Sequence, residues 1–168
     1  MMGPLFAILN GQKDKQAGES KKRLENLGMM LQLYTGENEG KFPDIDGAAG
    51  LNKLVPDYVN KLSDFKSPFD TKRKVPAGGA GLLENNCSYL YLGAGYTDTT
   101  KNASNLPLII SKSGVLKGAT ILYLDGHVEF IKGQYADELA IVTKVIDMKK
   151  LSEVESDMIK NKIKIIEK

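Results

Sequence analysis

The stretch from Ser20 to Pro43 constrains the fold most, because a helical pattern, a helix stop and an extended segment follow one another there. Gly36 and Gly40 favour the end of a helix, and Pro43 favours an extended chain. The apolar residues before them recur at a spacing of three or four, which places them on one side of a helix. They are Leu24, Leu27, Leu31 and Tyr34. The sequence therefore predicts an amphipathic helix whose apolar side needs a surface to pack against.

A short apolar run, Met1 to Leu9, precedes this helix. It is far shorter than the roughly 20 residues that a membrane-spanning helix needs, and it lacks the basic start and cleavage site of a secretory signal. A helical register nevertheless continues from Leu5 to Tyr34, across two glycines that each cost about 1 kcal/mol. We therefore expect residues 1–19 to be the remnant of a longer hydrophobic helix and its polar junction, with the beginning of that helix absent from this chain.

The composition is that of one globular unit with appendages: 168 residues, 42% of them hydrophobic and 26% charged. The 23 basic and 21 acidic residues are well mixed, so no strong field predicts nucleic acid or an anionic membrane surface as a partner. The one cysteine, Cys87, cannot form an internal disulfide. Its apolar context favours a buried hydrophobic side chain over a nucleophile.

After Pro43 the sequence is rich in turn residues. A short helix is predicted within Ala48 to Val55, with Leu51 and Leu54 facing inward. Ser67 to Asp70 has the composition of a turn, and Thr71 to Asn86 that of a mobile surface loop. The glycines of this loop do not predict a phosphate site, because no strand precedes them and no Lys-Ser/Thr pair follows them.

Two stretches with strand composition, Cys87–Leu92 and Leu106–Ser111, precede the clearest β pattern in the chain. In that pattern Asp125 and Gly126 separate two apolar runs, which is the preferred sequence of a two-residue type I′ hairpin turn. Such a hairpin has one wholly apolar face, which we expect to meet the helix. That face consists of Ile121, Tyr123, Val128 and Phe130.

The other hairpin face is mixed, with Leu122 and Leu124 beside His127 and Glu129, and the C-terminal sequence offers a cover for it. Two helical patterns follow from Ala136 onward. In the first, the apolar side consists of Leu139, Val142, Val145 and Ile146. The second begins at a capping box of Ser152 and Glu155. Its apolar stripe consists of Val154, Met158, Ile159, Ile163 and Ile166. Either both helices pack on their own domain, or the last one docks on another subunit, with self-association through residues 152–168.

Candidate chemical sites are few. Asp125, His127 and Glu129 resemble a metal-ligand cluster, and His127 is the only histidine. The type I′ register places Asp125 in the turn itself, so the remaining pair lacks the third ligand that a catalytic zinc needs. We therefore predict no metal, no cofactor and no catalytic residue, and keep a metal-dependent enzyme centred on His127 and Glu129 as the weakest alternative. The polar run Thr97–Thr100 is typical of a solvated turn rather than of a calcium loop.

The order of several motifs resembles that of bacterial type IV pilin-like proteins, in the group related to the major pseudopilin of type II secretion. The spacing Leu-x-x-Leu-Gly-x-x-Leu-x-x-Tyr from Leu24 to Tyr34 resembles their helix exit, and Ser88 to Tyr91 resembles their central strand. Leu122 to Glu129 resembles the closing Asp-Gly-His-Val-Glu hairpin of one subgroup. The resemblance covers about residues 20 to 131. Val115 stands where that subgroup usually carries a histidine, the processing site is missing, and the tail from Ala136 extends beyond the usual end.

The resemblance implies an α+β domain at residues 20–133, in which a long N-terminal helix packs against an antiparallel sheet, followed by a helical extension at 134–168. The helix pattern and the hairpin predict the same arrangement. The implied function is that of a non-catalytic filament subunit in the bacterial cell envelope, with other pilin-like subunits as partners through the N-terminal helix. Membrane contact would need an anchor that this chain lacks, so we expect the chain as given to be soluble. The alternative is a binding or adhesion module on the same fold, with Thr71–Asn86 and Thr97–Asn105 as contact loops.

Overall fold

A long helix, a four-stranded sheet and a pair of C-terminal helices form the structure. The computed structural model describes residues 4–75 and 81–166, with side chains from Lys15 onward. The helices are α1 (Pro4–Glu37), α2 (Ala48–Leu51), α3 (Glu138–Lys149) and α4 (Glu153–Ile166). The strands are β1 (Tyr89–Tyr91), β2 (Pro107–Ser111), β3 (Gly118–Tyr123) and β4 (Val128–Lys132), antiparallel and adjacent in chain order. The predicted α+β architecture is confirmed.

Helix α1 ends in the predicted glycine-rich segment. Gly40 has a φ of 77°, which residues with a side chain rarely adopt. Its amide donates to the Thr35 carbonyl at 2.8 Å, and the Asn38 side chain donates to the Tyr34 carbonyl at 2.7 Å. These bonds satisfy carbonyls that the end of a helix leaves without partners.

The predicted apolar side of α1 faces β3. Leu24, Leu27 and Leu31 are buried, and Tyr34 is half-buried. Close approach is possible because Gly28 has no side chain: a Cβ there would lie 3.0 Å from Leu122 Cδ1. Where the contact begins, the Ser20 and Thr120 hydroxyls are hydrogen-bonded at 2.8 Å. The sheet therefore covers α1 from Ser20 onward.

The hairpin between β3 and β4 has a three-residue connection, so the predicted type I′ turn is wrong. The Gly126 amide donates to the Tyr123 carbonyl, and the Tyr123 amide donates to the His127 carbonyl, both at 2.9 Å. Of Asp125 and Gly126, only the glycine has a positive φ, at 96°. This is a turn followed by a left-handed residue, the commonest three-residue hairpin, and it accepts the same Asp-Gly sequence.

The longer turn shifts the pairing by one residue and so changes which side chains share a face. Leu122 lies opposite Val128, Ile121 opposite Glu129, and Thr120 opposite Phe130. The predicted apolar face is therefore wrong in part. Val128 and Phe130 lie on the α1 side with Leu122, whereas Ile121 and Tyr123 lie on the opposite side.

Helix α3 contacts β2 and Tyr123 on that opposite side, and α4 packs against α3, so α1 and α3 enclose the sheet between them. Every residue of β2 and β3 is buried. The C-terminal residues Ile141, Val142, Val145, Ile159 and Ile163 belong to the same buried cluster as the leucines of α1. Of the two interpretations of the tail, packing on its own domain is thus confirmed for these residues.

The start of α4 matches the predicted capping box, but its apolar stripe does not. The Ser152 amide donates to the Glu155 carboxylate at 3.0 Å, and the Glu155 amide donates to the Ser152 hydroxyl at 3.2 Å. Val154 and Met158, which we predicted on the buried stripe, are exposed. The inner side of the helix is formed by Ile159, Lys162 and Ile163.

The segments before the sheet agree with the sequence in outline. Leu51 and Leu54 are fully buried at the end of α2 and of the 3₁₀ turn that follows it. The Asp70 amide donates to the Ser67 carbonyl at 3.1 Å, which closes the predicted turn. Part of the predicted loop is core, since Leu82 is buried, and residues 76–80 lie outside the described residues.

Replacing Leu31 with alanine should lower the free energy of unfolding by about 2 to 5 kcal/mol, because it removes a fully buried side chain between α1 and the sheet. Leu33→Ala is the matched control, since Leu33 is on the same helix but 58% exposed, and its effect should stay within about 0.5 kcal/mol. Urea denaturation followed by circular dichroism measures both. Equal losses would mean that the burial of α1 is misassigned.

Candidate functional site

The hairpin tip carries the densest group of polar side chains that the sequence singled out. His127 Nδ1 lies 2.5 Å from Asp125 Oδ1, and Nε2 lies 3.5 Å from Glu129 Oε1. Tyr123 stacks on the imidazole, with ring centroids 4.5 Å apart and planes at 8°. The expectation that Asp125 would not project alongside His127 and Glu129 is wrong, because the longer turn lets it approach the ring from the other side.

A lysine from α3 completes this group. Lys149 Nζ donates to Glu129 Oε1 at 2.8 Å and lies 4.9 Å from the centre of the Tyr123 ring. Burial raises the pKa of the Glu129 carboxyl, but the hydrogen bond from Lys149 and the contacts with Tyr123 and His127 outweigh it, so the pKa is lowered overall. Burial first, and the Glu129 carboxylate second, raise the pKa of the Tyr123 hydroxyl. The arrangement pairs each carboxylate with a nitrogen and ties the hairpin tip to α3.

The geometry of this cluster separates the carboxylates. They approach opposite nitrogens of His127, and Glu129 is also bound by Lys149. Across the described parts of the chain, no three His, Cys, Asp or Glu side chains are grouped so that they could hold a metal ion.

Sequence reasoning missed a second polar cluster, in which Lys162 of α4 acts as a fixed cation. Its ammonium group donates to both oxygens of Asp46, at 3.2 and 3.3 Å, and to the Ala94 carbonyl at 2.5 Å. It also lies 5.0 Å from the centre of the Tyr96 ring. The signal was present in the sequence, because Lys162 falls on the same side of the helix as Ile159 and Ile163. We call this group the Lys162 latch.

A cleft of about 480 Å³ lies between α1 and the segment from Tyr58 to Asp64. Its buried lining is apolar and includes Leu27 and Val59, whereas its exposed lining includes Lys22 and Asp64. That volume is within the range of sites for small ligands.

The exposed surface of α1 is apolar in part. Met29 and Leu33 are 56% and 58% exposed. They lie on the side of the helix opposite Leu24 and Leu31, since they are five to nine residues from Leu24 at 100° per residue. This side of α1 has no cover among the described residues.

The other residues that the sequence singled out have local partners. Cys87 is fully buried, and burial raises the pKa of its thiol to about 11. Asn86, in a glycosylation triplet, is buried and accepts the Leu83 amide through its side chain at 2.8 Å. The run Thr97–Thr100 is a turn closed by its own hydroxyls, as the sequence predicted, with the Thr100 hydroxyl accepting the Thr97 amide at 2.9 Å.

Comparison with known proteins yields no relative: no family model, no curated protein and no solved structure matches this chain. Within the described residues, no helix combines the length and the apolar character needed to cross a membrane. The resemblance to pilin-like proteins, and the function it implies, therefore stay predictions.

Replacing Lys162 with methionine should lower the free energy of unfolding by roughly 3 kcal/mol, because it leaves the nearly buried Asp46 carboxylate without its cation. Lys160→Met, on the same helix but outside the latch, is the control and should change it by less than about 0.5 kcal/mol. Hydrogen exchange should also show faster exchange in α4 of the Lys162 variant alone. Similar exchange in both variants would contradict the latch.

The raised pKa of Cys87 predicts an inert thiol. At pH 8 the folded protein should react with a disulfide reagent at least about a hundredfold more slowly than the same protein in urea, because the thiolate is scarce and enclosed. The absorbance of the released thiol measures both rates. Equal rates would mean that Cys87 is accessible in the folded protein.

Proposed function

We propose that this protein is a non-catalytic structural subunit of a type IV pilus-like or type II secretion pseudopilus-like filament. The observation that supports the proposal is that the sheet covers only one side and one part of α1. The sheet lies on one side of the helix from Ser20 onward, yet the helix continues back to Pro4. In filaments of the group that the sequence resembles, such helices form the core and the sheets face outward.

The uncovered side of α1 supports the same proposal. Met29 and Leu33 expose apolar area that contact with another helix would remove from water, at about 25 cal/mol per Å². Gly36 lies on the same side, and a small residue allows close approach between helices. The proposal implies a location in the bacterial cell envelope and partners of the same pilin-like kind.

Replacing Leu33 with aspartate should prevent assembly while the domain still folds, because it places a carboxylate in the proposed contact between helices. The gene is altered at its own locus in the organism that encodes it, and surface filaments are sheared from the cells and sedimented. Immunoblotting should find the protein in the sedimented fraction of the parent strain and at least about tenfold less in the Leu33→Asp strain.

Leu83→Asp is the matched control, since Leu83 is also 58% exposed but lies outside α1. That variant should sediment like the parent protein, and circular dichroism of both purified variants should be unchanged. Absence of the parent protein from sheared filaments, or normal assembly of the Leu33 variant, would contradict the proposal.

A binding or adhesion module on the same fold is a second candidate, and the cleft beside α1 favours it. Its apolar interior and charged exposed lining suit a small ligand or a peptide side chain. The two candidates differ in the experiment above, because a binding module would not sediment with sheared filaments and would tolerate Leu33→Asp.

A further inference from the structure

The last helix has two apolar sides, and only one of them is used within the domain. Ile159 and Ile163 face inward and are fully buried. On the outer side Val154, Met158 and Ile165 are 79%, 37% and 69% exposed. We propose that this outer side of α4 is a self-association surface, on which α4 of a second copy of the chain packs in antiparallel orientation.

The spacing of the outer side is that of paired helices. Val154, Met158, Asn161 and Ile165 are separated by four, three and four residues, the a/d spacing of a two-stranded coiled coil. In an antiparallel pair, Val154 packs against Ile165 of the second copy, and Met158 against Asn161. Because the same four positions serve both copies, the surface is complementary to itself, as a two-fold interface requires.

The charges beside this line favour the antiparallel orientation. Asp157 and Lys164 flank it on one side, and both are exposed. An antiparallel pair brings Asp157 of each copy beside Lys164 of the other, so the contact occurs twice. In a parallel pair the two charges lie seven residues apart along the helices, or about 10 Å, which is too far for an ion pair.

The size of the surface indicates a weak dimer. A helix of 14 residues is about 21 Å long, so pairing α4 alone buries less area than a standard protein interface. Weak contacts become effective when many copies are linked. Because the exposed apolar side of α4 is separate from that of α1, pairing through α4 would add a second contact between filament subunits, a consequence that rests on the proposed function.

Analytical ultracentrifugation of the purified chain tests the pairing without any filament. From about 10 µM to about 1 mM, the average mass should rise from that of the monomer towards that of the dimer. Ile165→Asp should raise the dissociation constant at least about a hundredfold, because each dimer loses two apolar contacts. Leu83→Asp, at a 58% exposed residue outside both α1 and α4, should leave it unchanged.

Exchange of the two charges tests the orientation. Asp157→Lys should raise the dissociation constant about tenfold, and adding Lys164→Asp to the same chain should restore it, since the pair is then reversed but still opposite in sign. A monomer at every concentration would overturn the proposal, as would a dimer that tolerates Ile165→Asp. A double variant no better than the single one would overturn the antiparallel arrangement. Filament assembly in cells is measured separately, so failure of one proposal does not decide the other.

Discussion

The close contact between α1 and β3 is the constraint on which the rest of the structure depends. Gly28 lets the helix approach so closely that a Cβ at this position would lie only 3.0 Å from Leu122 Cδ1. With that distance fixed, the leucines of α1 lie directly on the sheet, and β3, paired with β2 and β4, holds the sheet in place behind them. A β-sheet buried on one side still exposes the other, and here β2 and β3 are apolar on both sides, so a second helical layer is required.

The helices and strands could be predicted well from the sequence. Which side of the sheet each strand side chain points to could be predicted less well. Local sequence patterns identified the long helix, its end, the strands and the capping box of α4, because each depends on residues that are close in the chain. The hairpin failed because Asp-Gly suits both a two-residue and a three-residue turn, and a difference of one residue reverses every side chain on the paired strands. In the structure Leu122 rather than Tyr123 lies against α1, as the three-residue turn requires.

The candidate site was predictable to a similar extent. The carboxylates around His127 were found from their spacing, but their placement followed the wrong turn. Lys149 and Lys162 were missed as members of polar clusters, since their partners are 20 and 116 residues away in the chain. In a single sequence, a lysine on the buried side of a helix indicates only that some acceptor binds its ammonium group. Only the three-dimensional structure identifies which residue supplies that acceptor.

The late position of α3 and α4 in the chain affects how the protein emerges from the ribosome. The side of the sheet that carries Ile110 and Ile121 is complete once β4 has been made, but its cover is synthesised afterwards. During that interval a nascent chain presents an open apolar β-surface, the kind that associates with other chains or recruits chaperones. The Lys162 latch can form only after α4 has been made, because Lys162 binds Asp46 and Ala94, which lie much earlier in the chain. This side of the sheet is therefore protected only after the C-terminal helices have been made.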